Sequence, residues 1–319
     1  MSEAVKNYYQ GIYLTETIMG NPNGDFVDNS PRNFDGRVFT TDKCIKYNIR
    51  RYIHEIVEDM DQQKNIVFFY PRKSDDAEIS DAKYLTKDTI FKNIFKDDFN
   101  KLLKNSPDVR MFGGTFSFKN GNPKQIYGPI QLSYGKDIND AQIKKLQIGA
   151  PFADGNDGKQ KTTGSEAVVD DAIISYDITV NPNNYPELLS QEDMELFLES
   201  LWYGTNLRKT TSKKTDSKLL VLIKFKNDTN GKNIKALNLG ELKDLIQIEN
   251  KKERKKIKDP EKLIKIDTSA LESKLSKYQE YIEKIDVYYD KLDLKIQLTS
   301  EEFKNVQINY MEPTSLLRL

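Results

Sequence analysis

The sequence predicts an α+β fold in which a split βαβ core carries two insertions. Apolar runs of strand length with period two alternate with two helical stripes, in the order strand, helix, strand, strand, helix, strand. One lysine-rich and one glycine-rich polar stretch interrupt this order. Without these two stretches the order is that of ferredoxin-like folds.

The first strand and the first helix are predicted within residues 1–58. Residues 8–18 are rich in aromatic and β-branched side chains, which favours a strand, and residues 20–25 (GNPNGD) have the composition of a tight turn. Thr40 or Thr41 can then cap a helix. The apolar stripe of this helix consists of Ile45, Ile49, Tyr52, Ile53 and Ile56.

Two polar stretches are predicted to be insertions. Residues 59–107 are lysine-rich and contain one short strand candidate at 65–70 and one helix candidate at 90–103. Residues 149–164 are glycine-rich and too polar to pack, which indicates a projecting loop or hairpin. The period-two segments 128–134 and 172–180 flank this second insertion and are predicted strands.

The second core helix has the clearest start signal. Ser190 and Asp193 form a capping-box pattern ahead of an apolar stripe that ends with Trp202. A basic loop follows, and the apolar run 219–225 is short enough to be a buried strand. Beyond it, leucine, isoleucine and tyrosine at heptad spacing over 271–292 predict a long helix, packed on its own domain or on a coiled-coil partner.

Composition excludes several classes of protein. The chain carries 49 basic and 49 acidic residues, so a polyanion must be bound by a local basic patch. Cys44 and His54 are the only residues of their types, which excludes a disulfide framework, a zinc cluster and a Ser-His-Asp triad. Neither a signal-like start nor a long apolar run is present, so the sequence predicts a soluble cytoplasmic protein without membrane contact.

Four sequence blocks resemble the type I CRISPR backbone subunits that coat guide RNA, most closely those of subtype I-B. They are the turn 20–25 running on to Asn-Ser-Pro-Arg at 29–32, the helix 41–53, the segment 108–114 (DVRMFGG) and the strand 128–131 (GPIQ). The four blocks occur in the family's order, and together they are far more specific than any single block.

This resemblance implies a function and a domain plan. The expected protein is a non-catalytic subunit without cofactors that binds guide RNA, further copies of itself and other Cascade-type subunits, and that reaches target DNA through the guide. Its RNA-recognition-like palm would hold an inserted finger and a thumb hairpin. The predicted parts are palm at 1–58, 108–135 and 171–226, finger at 59–107, thumb at 136–170, and a basic segment with a C-terminal helix at 227–319.

Two groups of residues are candidate RNA contacts in the first palm segments. Lys43, Lys46 and Arg50 share one face of the first helix and can follow successive phosphates, although such a face is often merely solvated. Gly113 and Gly114 can leave backbone amides free for a phosphate beside Arg110; the alternative is a plain tight turn. The resemblance favours RNA contact for both groups.

Phe152 and a later basic loop complete the candidate site. Phe152 is an aromatic residue within polar sequence and can stack on a base or anchor its own hairpin. Arg208, Lys209 and Lys213, with neighbouring Lys214, can bind phosphates or form a flexible solvated loop.

Two other functions fit the same sequence. Backbone subunits of type III complexes resemble this family and cleave target RNA with a metal and an acidic residue after the first strand, where this chain has Asp25, Asp28 and Asp35. A protein-only scaffold without RNA is the second alternative. Both stay open at the level of sequence.

Overall fold

A ten-stranded sheet is the centre of this mixed α/β fold. The computed structural model describes residues 3–74, 83–118, 123–149, 163–229, 232–233, 237–256, 258–298 and 306–318. Its strands are β1 (Tyr9–Gly20), β2 (Asn33–Phe34), β3 (Arg37–Thr40), β4 (Gly113–Phe116), β5 (Lys124–Tyr127), β6 (Ile130–Leu132), β7 (Gly135–Asp137), β8 (Ile143–Gly149), β9 (Thr163–Val180), β10 (Thr215–Phe225), β11 (Asp228–Thr229), β12 (Lys232–Asn233), β13 (Gln247–Ile248), β14 (Ile264–Asp267), β15 (Ile282–Tyr289), β16 (Leu294–Lys295) and β17 (Gln307–Met311). Its α-helices are α1 (Asp42–Tyr52), α2 (Lys87–Phe95), α3 (Phe99–Asn105), α4 (Pro107–Phe112), α5 (Gln191–Leu207), α6 (Lys251–Arg254) and α7 (Ser269–Ser276).

The strand order of the large sheet is β17-β15-β10-β1-β9-β7-β3-β2, with β6 and β8 also paired to β9. The central strand β1 is antiparallel to both neighbours, so that Tyr13 lies opposite Leu220 on one side and Tyr176 on the other. Ile12, Tyr13 and Leu14 of this strand are fully buried. A strand covered on both faces is apolar almost without interruption, which is why this segment is visible in the sequence.

Helices α1 and α5, both predicted from the sequence, cover one face of the sheet. Ser190 accepts a hydrogen bond from the Asp193 amide at 3.1 Å, and the Asp193 carboxylate accepts one from the Ser190 amide, which completes the capping box. The predicted stripe of α1 is buried except for Ile56, which is 59% exposed. The last turn, Ile53–Val57, is π-helical, and its wider turn rotates Ile56 out of the stripe.

A separate apolar cluster joins the first insertion to the β4–β5 pair, and it contains Phe68 and Phe95 of the insertion and Phe116 of β4. Two predictions within the insertion are wrong. Residues 65–70 are not a strand, because the Phe68 and Phe69 amides donate to the Asp108 carboxylate instead of to a neighbouring strand. The single helix at 90–103 is two helices, α2 and α3, separated by left-handed backbone at 96–97.

Glu58 joins the end of the first helical segment to this insertion. Its carboxylate accepts hydrogen bonds from Arg72 at 2.7 Å and from the Val67 amide at 2.9 Å. Burial disfavours the charge, but these bonds, together with the His54 Nδ1 atom 3.2 Å from the carboxylate, outweigh burial and lower the pKa of Glu58 to about 2. The sole histidine therefore has a structural contact.

The prediction of a long C-terminal helix over 271–292 is wrong. Helix α7 ends at Ser276, and the chain continues as β15, which pairs with β10 and β17. In β15, Ile285 and Val287 point to one face of the sheet and Tyr288 to the other, which is the period of a strand. Pairing with β10 decides between two apolar periods that overlap in this short segment.

The described residues of 237–276, together with 294–298, cover the second face of the sheet. Leu242, Ile246 and Leu271 of this layer pack in one buried cluster with Ile12 and Val221 of the sheet. Helix α6 is fixed by the guanidinium of Arg254, which is paired with Glu16 and with Asp171. None of the described helices is long and apolar enough to cross a membrane.

Candidate nucleic-acid interface

The turn 20–25 joins the end of β1 to the start of α1 and to the basic loop after α5. The Asn21 amide donates to the Ser212 carbonyl at 2.7 Å. The Asn23 side-chain oxygen accepts bonds from the amide and the hydroxyl of Thr41, at 3.0 and 3.2 Å. The asparagines of this turn therefore hold three distant segments of the chain in one place.

Two basic side chains, Arg208 and Lys213, meet at this junction, and Lys43 lies on the adjoining face of α1. Lys213 donates to the Asn21 carbonyl at 2.9 Å, and Arg208 donates to the Asn48 side chain at 3.1 Å. The Arg208 guanidinium also lies over the ring of Tyr47, 4.8 Å from its centre. Lys43 is exposed and stands one turn before Tyr47 on the same helix face. We call Lys43, Arg208 and Lys213 the junction cluster.

The junction cluster has unneutralised charge. Burial and the nearby charge of Arg208 lower the pKa of Lys213. Within the described residues none of the three side chains forms an ion pair with a carboxylate. A bound anion would remove the repulsion between Lys213 and Arg208, so the cluster favours a phosphate ligand.

Lys209, in contrast, is already neutralised. Its ammonium group pairs with the Asp216 carboxylate and donates to the Thr215 carbonyl at 2.9 Å. The structure thus separates two lysines of the predicted basic loop. Lys213 lies at the junction, whereas the Lys209 side chain contacts the first residues of β10.

Lys46 and Arg50 lie on α1 beside Lys43, but they face α4. Lys46 pairs with Asp42 at 3.0 Å and Arg50 pairs with Asp108 at 3.1 Å, and both cations stand over the ring of Phe112. Their side chains are only 13% and 17% exposed. Their contact with RNA stays a prediction, while their packing role is visible.

The guanidinium of Arg110 is engaged within the protein. It makes two bonds to the Asp193 carboxylate, at 2.9 and 2.7 Å, and donates to the Leu103 and Lys104 carbonyls at 2.8 and 2.5 Å. The carbonyl contacts satisfy the end of α3, and the paired contact fixes α4 to the start of α5. This geometry is that of a positioning residue.

Gly113 and Gly114 are required by close packing. Gly113 has a φ of +67°, and a Cβ there would overlap the Ile126 carbonyl and stand 2.5 Å from the Gly128 amide nitrogen. A Cβ on Gly114 would stand 2.6 Å from the ring of Phe69. Both residues pair with β5 in a short hairpin, so this backbone has protein partners.

Phe152 lies outside the described residues. The arms of its predicted hairpin are described: β8 pairs antiparallel with β9 from Ile143 opposite Val169 to Gly149 opposite Thr163. The hairpin leaves the same end of the sheet as the turn after β1, because Gly20 lies opposite Val169.

The acidic residues after β1 have turn-forming contacts. The Asp25 carboxylate accepts bonds from the Val27 and Asp28 amides at 2.8 and 3.1 Å, and the Asp28 carboxylate accepts one from Ser30. Asp35 has a φ of +49° in the β2–β3 turn. No group of three or more potential metal ligands occurs among the residues described.

Comparison with known proteins assigns the chain to a family. A family model for the CRISPR-associated protein Cas7 matches residues 7–269. The chain belongs to the Cas7 family. The matched Cas7 range includes β1, α1, the hairpin arms, α5 and the whole junction cluster.

The fold is similar to that of solved structures over nearly the whole chain. One chain titled "CRISPR RNA-guided surveillance complex, pre-nicking" matches with 12% identity, covering 97% of this chain and 98% of its own length at a TM-score of 0.50. Another, titled "CRISPR RNA-guided surveillance complex", matches with 10% identity, 97% and 96% coverage and a TM-score of 0.49. The search of curated proteins found no match.

Several residues of this Cas7 surface were absent from the predictions. Tyr47 supports Arg208, and Asn21 and Asn23 hold the junction together. Tyr47 stands four residues after Lys43, so helical spacing places it on the same face. The asparagine contacts join segments far apart in sequence and have no such local signal.

Proposed function

We propose that this Cas7-family chain is a non-catalytic backbone subunit that binds CRISPR guide RNA largely without regard to sequence. The observation that carries the proposal is the pair of adjacent cations Arg208 and Lys213, which have no carboxylate partner in the described structure. They lie where the family's turn 20–25 meets α1. Two such charges favour consecutive phosphates of a single strand.

We further propose that the large sheet is a ferredoxin-like palm. The order β10-β1-β9-β7, with α1 and α5 on one face, supports this description. RNA-recognition modules bind RNA across the opposite sheet face. Here the described residues of 237–276 and 294–298 cover that face, so guide RNA would run along the end of the sheet at the junction cluster.

The finer assignments also belong to this proposal. They are a type I complex of subtype I-B in the cytoplasm, other Cascade-type subunits and target DNA as partners, the finger at 59–107 and the thumb at 136–170. The apolar cluster that the first insertion shares with the β4–β5 pair supports a finger, and the β8–β9 arms support the thumb. The structural contacts of Asp25 and Asp28 favour the non-catalytic subunit over a metal-dependent RNA-cleaving one.

Loss of the junction cations should weaken RNA binding through charge alone. The double variant Arg208→Ala/Lys213→Ala is expected to bind single-stranded RNAs of unrelated sequence more weakly by similar factors. The salt slope is the slope of the logarithm of the binding constant against the logarithm of the salt concentration. Each lost phosphate contact should reduce the magnitude of this slope by about 0.7. Fluorescence anisotropy across a salt series measures both quantities.

Lys209→Ala is the matched control, because its charge is already paired with Asp216. It should leave the salt slope unchanged. If the double variant lost affinity for only some RNA sequences, the phosphate-binding cluster would be contradicted. Equal salt slopes for wild type, the double variant and Lys209→Ala would also contradict it.

Guide length should set the number of bound copies. A contact between the hairpin of one copy and a different surface of the next copy is heterologous. Heterologous contacts that do not close into a ring build open filaments. Mass photometry with RNAs of increasing length is expected to show mass rising in steps of one 36.9 kDa chain. A continuous or length-independent mass would contradict the filament.

A further inference from the structure

The loop after β1 presents an aromatic ring to solvent. Phe26 is 99% exposed and the adjacent Val27 is 95% exposed, the two highest values among the large apolar residues of the described structure. Neither residue contributes to any of the three buried clusters. Burial would stabilise a phenylalanine by about 1.5–3 kcal/mol, and the folding of this chain leaves this stabilisation unused at Phe26.

The loop that carries Phe26 is ordered by its own hydrogen bonds. The Asp25 carboxylate accepts hydrogen bonds from the amides of Val27 and Asp28. The Asp25 amide donates to the Ser30 carbonyl at 3.0 Å, and Gly24 forms a β-bridge with Pro31. The Arg32 amide then returns to the Asn23 carbonyl at 3.0 Å. Phe26 is therefore held at the tip of a closed loop whose base is the junction turn.

A cation without a carboxylate partner stands beside this ring. The Arg32 guanidinium lies 5.4 Å from the centre of the Phe26 ring. No ion pair involves Arg32 within the described ranges, and its buried Nε has no hydrogen-bond partner there. An exposed ring beside an uncommitted guanidinium matches the two parts of a nucleotide, since bases stack on aromatic rings and phosphates bind arginine.

We propose that Phe26 and Arg32 form a nucleotide subsite in which an unpaired RNA base stacks on the free face of Phe26 while Arg32 contacts its phosphate. This inference rests on the proposed guide-RNA function and adds a base contact to it. The subsite belongs to the β1–β2 loop and is separate from Phe152 on the predicted hairpin. The strand held by Lys213 would reach it, because Asn21 and Asn23 connect the two places.

The size and charge of the patch favour a base over a protein partner. Phe26 and Val27 together expose a few hundred Å² at most, whereas each side of a stable protein interface buries about 800 Å². The cations near the loop are Arg32 and, on the adjacent strand β8, Lys145, whose charge contributes to lowering the pKa of Asp28 after the hydrogen bonds from Ser30. The Asp25 and Asp28 carboxylates of the same loop accept hydrogen bonds from its own amides, so the Phe26 ring and the Arg32 guanidinium suit a base and its phosphate.

The test is binding of single-stranded RNA that carries 2-aminopurine at successive positions. Phe26→Ala is expected to weaken binding roughly tenfold, with an unchanged salt slope, because it removes a stacking contact and no charge. Phe26→Trp should retain wild-type affinity. Phe26→Leu should behave like alanine, since it keeps the apolar character but not the flat ring.

Phe34→Ala is the matched control, because Phe34 is also exposed, at 73%, on the neighbouring strand β2. Arg32→Ala should weaken binding and lower the salt slope by about 0.7. Equal affinity of Phe26→Ala and wild type, or full affinity of Phe26→Leu, would overturn the subsite. Reduced self-association of RNA-free Phe26→Ala would identify a protein contact and also overturn it. Wild-type protein that binds no RNA would refute the proposed function itself.

Discussion

Replacing Arg110 with alanine is expected to destabilise the protein by about 3–5 kcal/mol. Asp193 is 2% exposed, and the change leaves its carboxylate buried without the guanidinium that neutralises it. It also removes the bonds that satisfy the Leu103 and Lys104 carbonyls at the end of α3. The three elements α3, α4 and α5 then lose their shared contact.

Urea unfolding followed by circular dichroism measures this loss as a shift in midpoint. Arg51→Ala is the control, because Arg51 forms a partly exposed pair with Glu55 on the helix surface and should cost less than about 1 kcal/mol. If Arg110→Ala kept wild-type stability but lost RNA affinity, Arg110 would be an RNA ligand and the positioning role would be refuted.

Gly113→Ala is expected to cost about 3 kcal/mol or more, from two sources. The φ of +67° is unfavourable for alanine, and the new methyl group would overlap the backbone of Ile126 in β5 and of Gly128 just after it. Backbone atoms of a paired hairpin cannot move aside without breaking the hairpin. The expected readout is a lowered melting temperature together with loss of the β4–β5 pairing.

Gly36→Ala separates these two sources. Gly36 has a φ of +81° but nothing within 4 Å of the position that a Cβ would take. Its replacement should cost only the backbone strain, about 1 kcal/mol. Equal losses of stability for the two variants would show that packing at Gly113 contributes nothing. They would then favour a role for this segment in presenting backbone amides to RNA.

Local patterns in the sequence were sufficient for the central elements. The capping box at Ser190, the turn after β1 and the apolar runs in β1 and β10 depend on residues within a few positions of one another. The prediction of the C-terminal helix was wrong because apolar residues over 282–289 fit both heptad spacing and strand spacing. Only the pairing with β10 decides between the two. Nothing within that segment contains this information.

The sequence by itself determined the order of the core elements and the family motifs, and it placed Lys43, Arg208 and Lys213 among the candidate contacts. The tertiary structure alone decided which candidate cations remain unpaired, since Lys209, Arg50 and Arg110 meet Asp216, Asp108 and Asp193 from other segments. The physical reason is that a side chain's charge is local, whereas its neutralisation depends on which carboxylate the fold brings within hydrogen-bond distance.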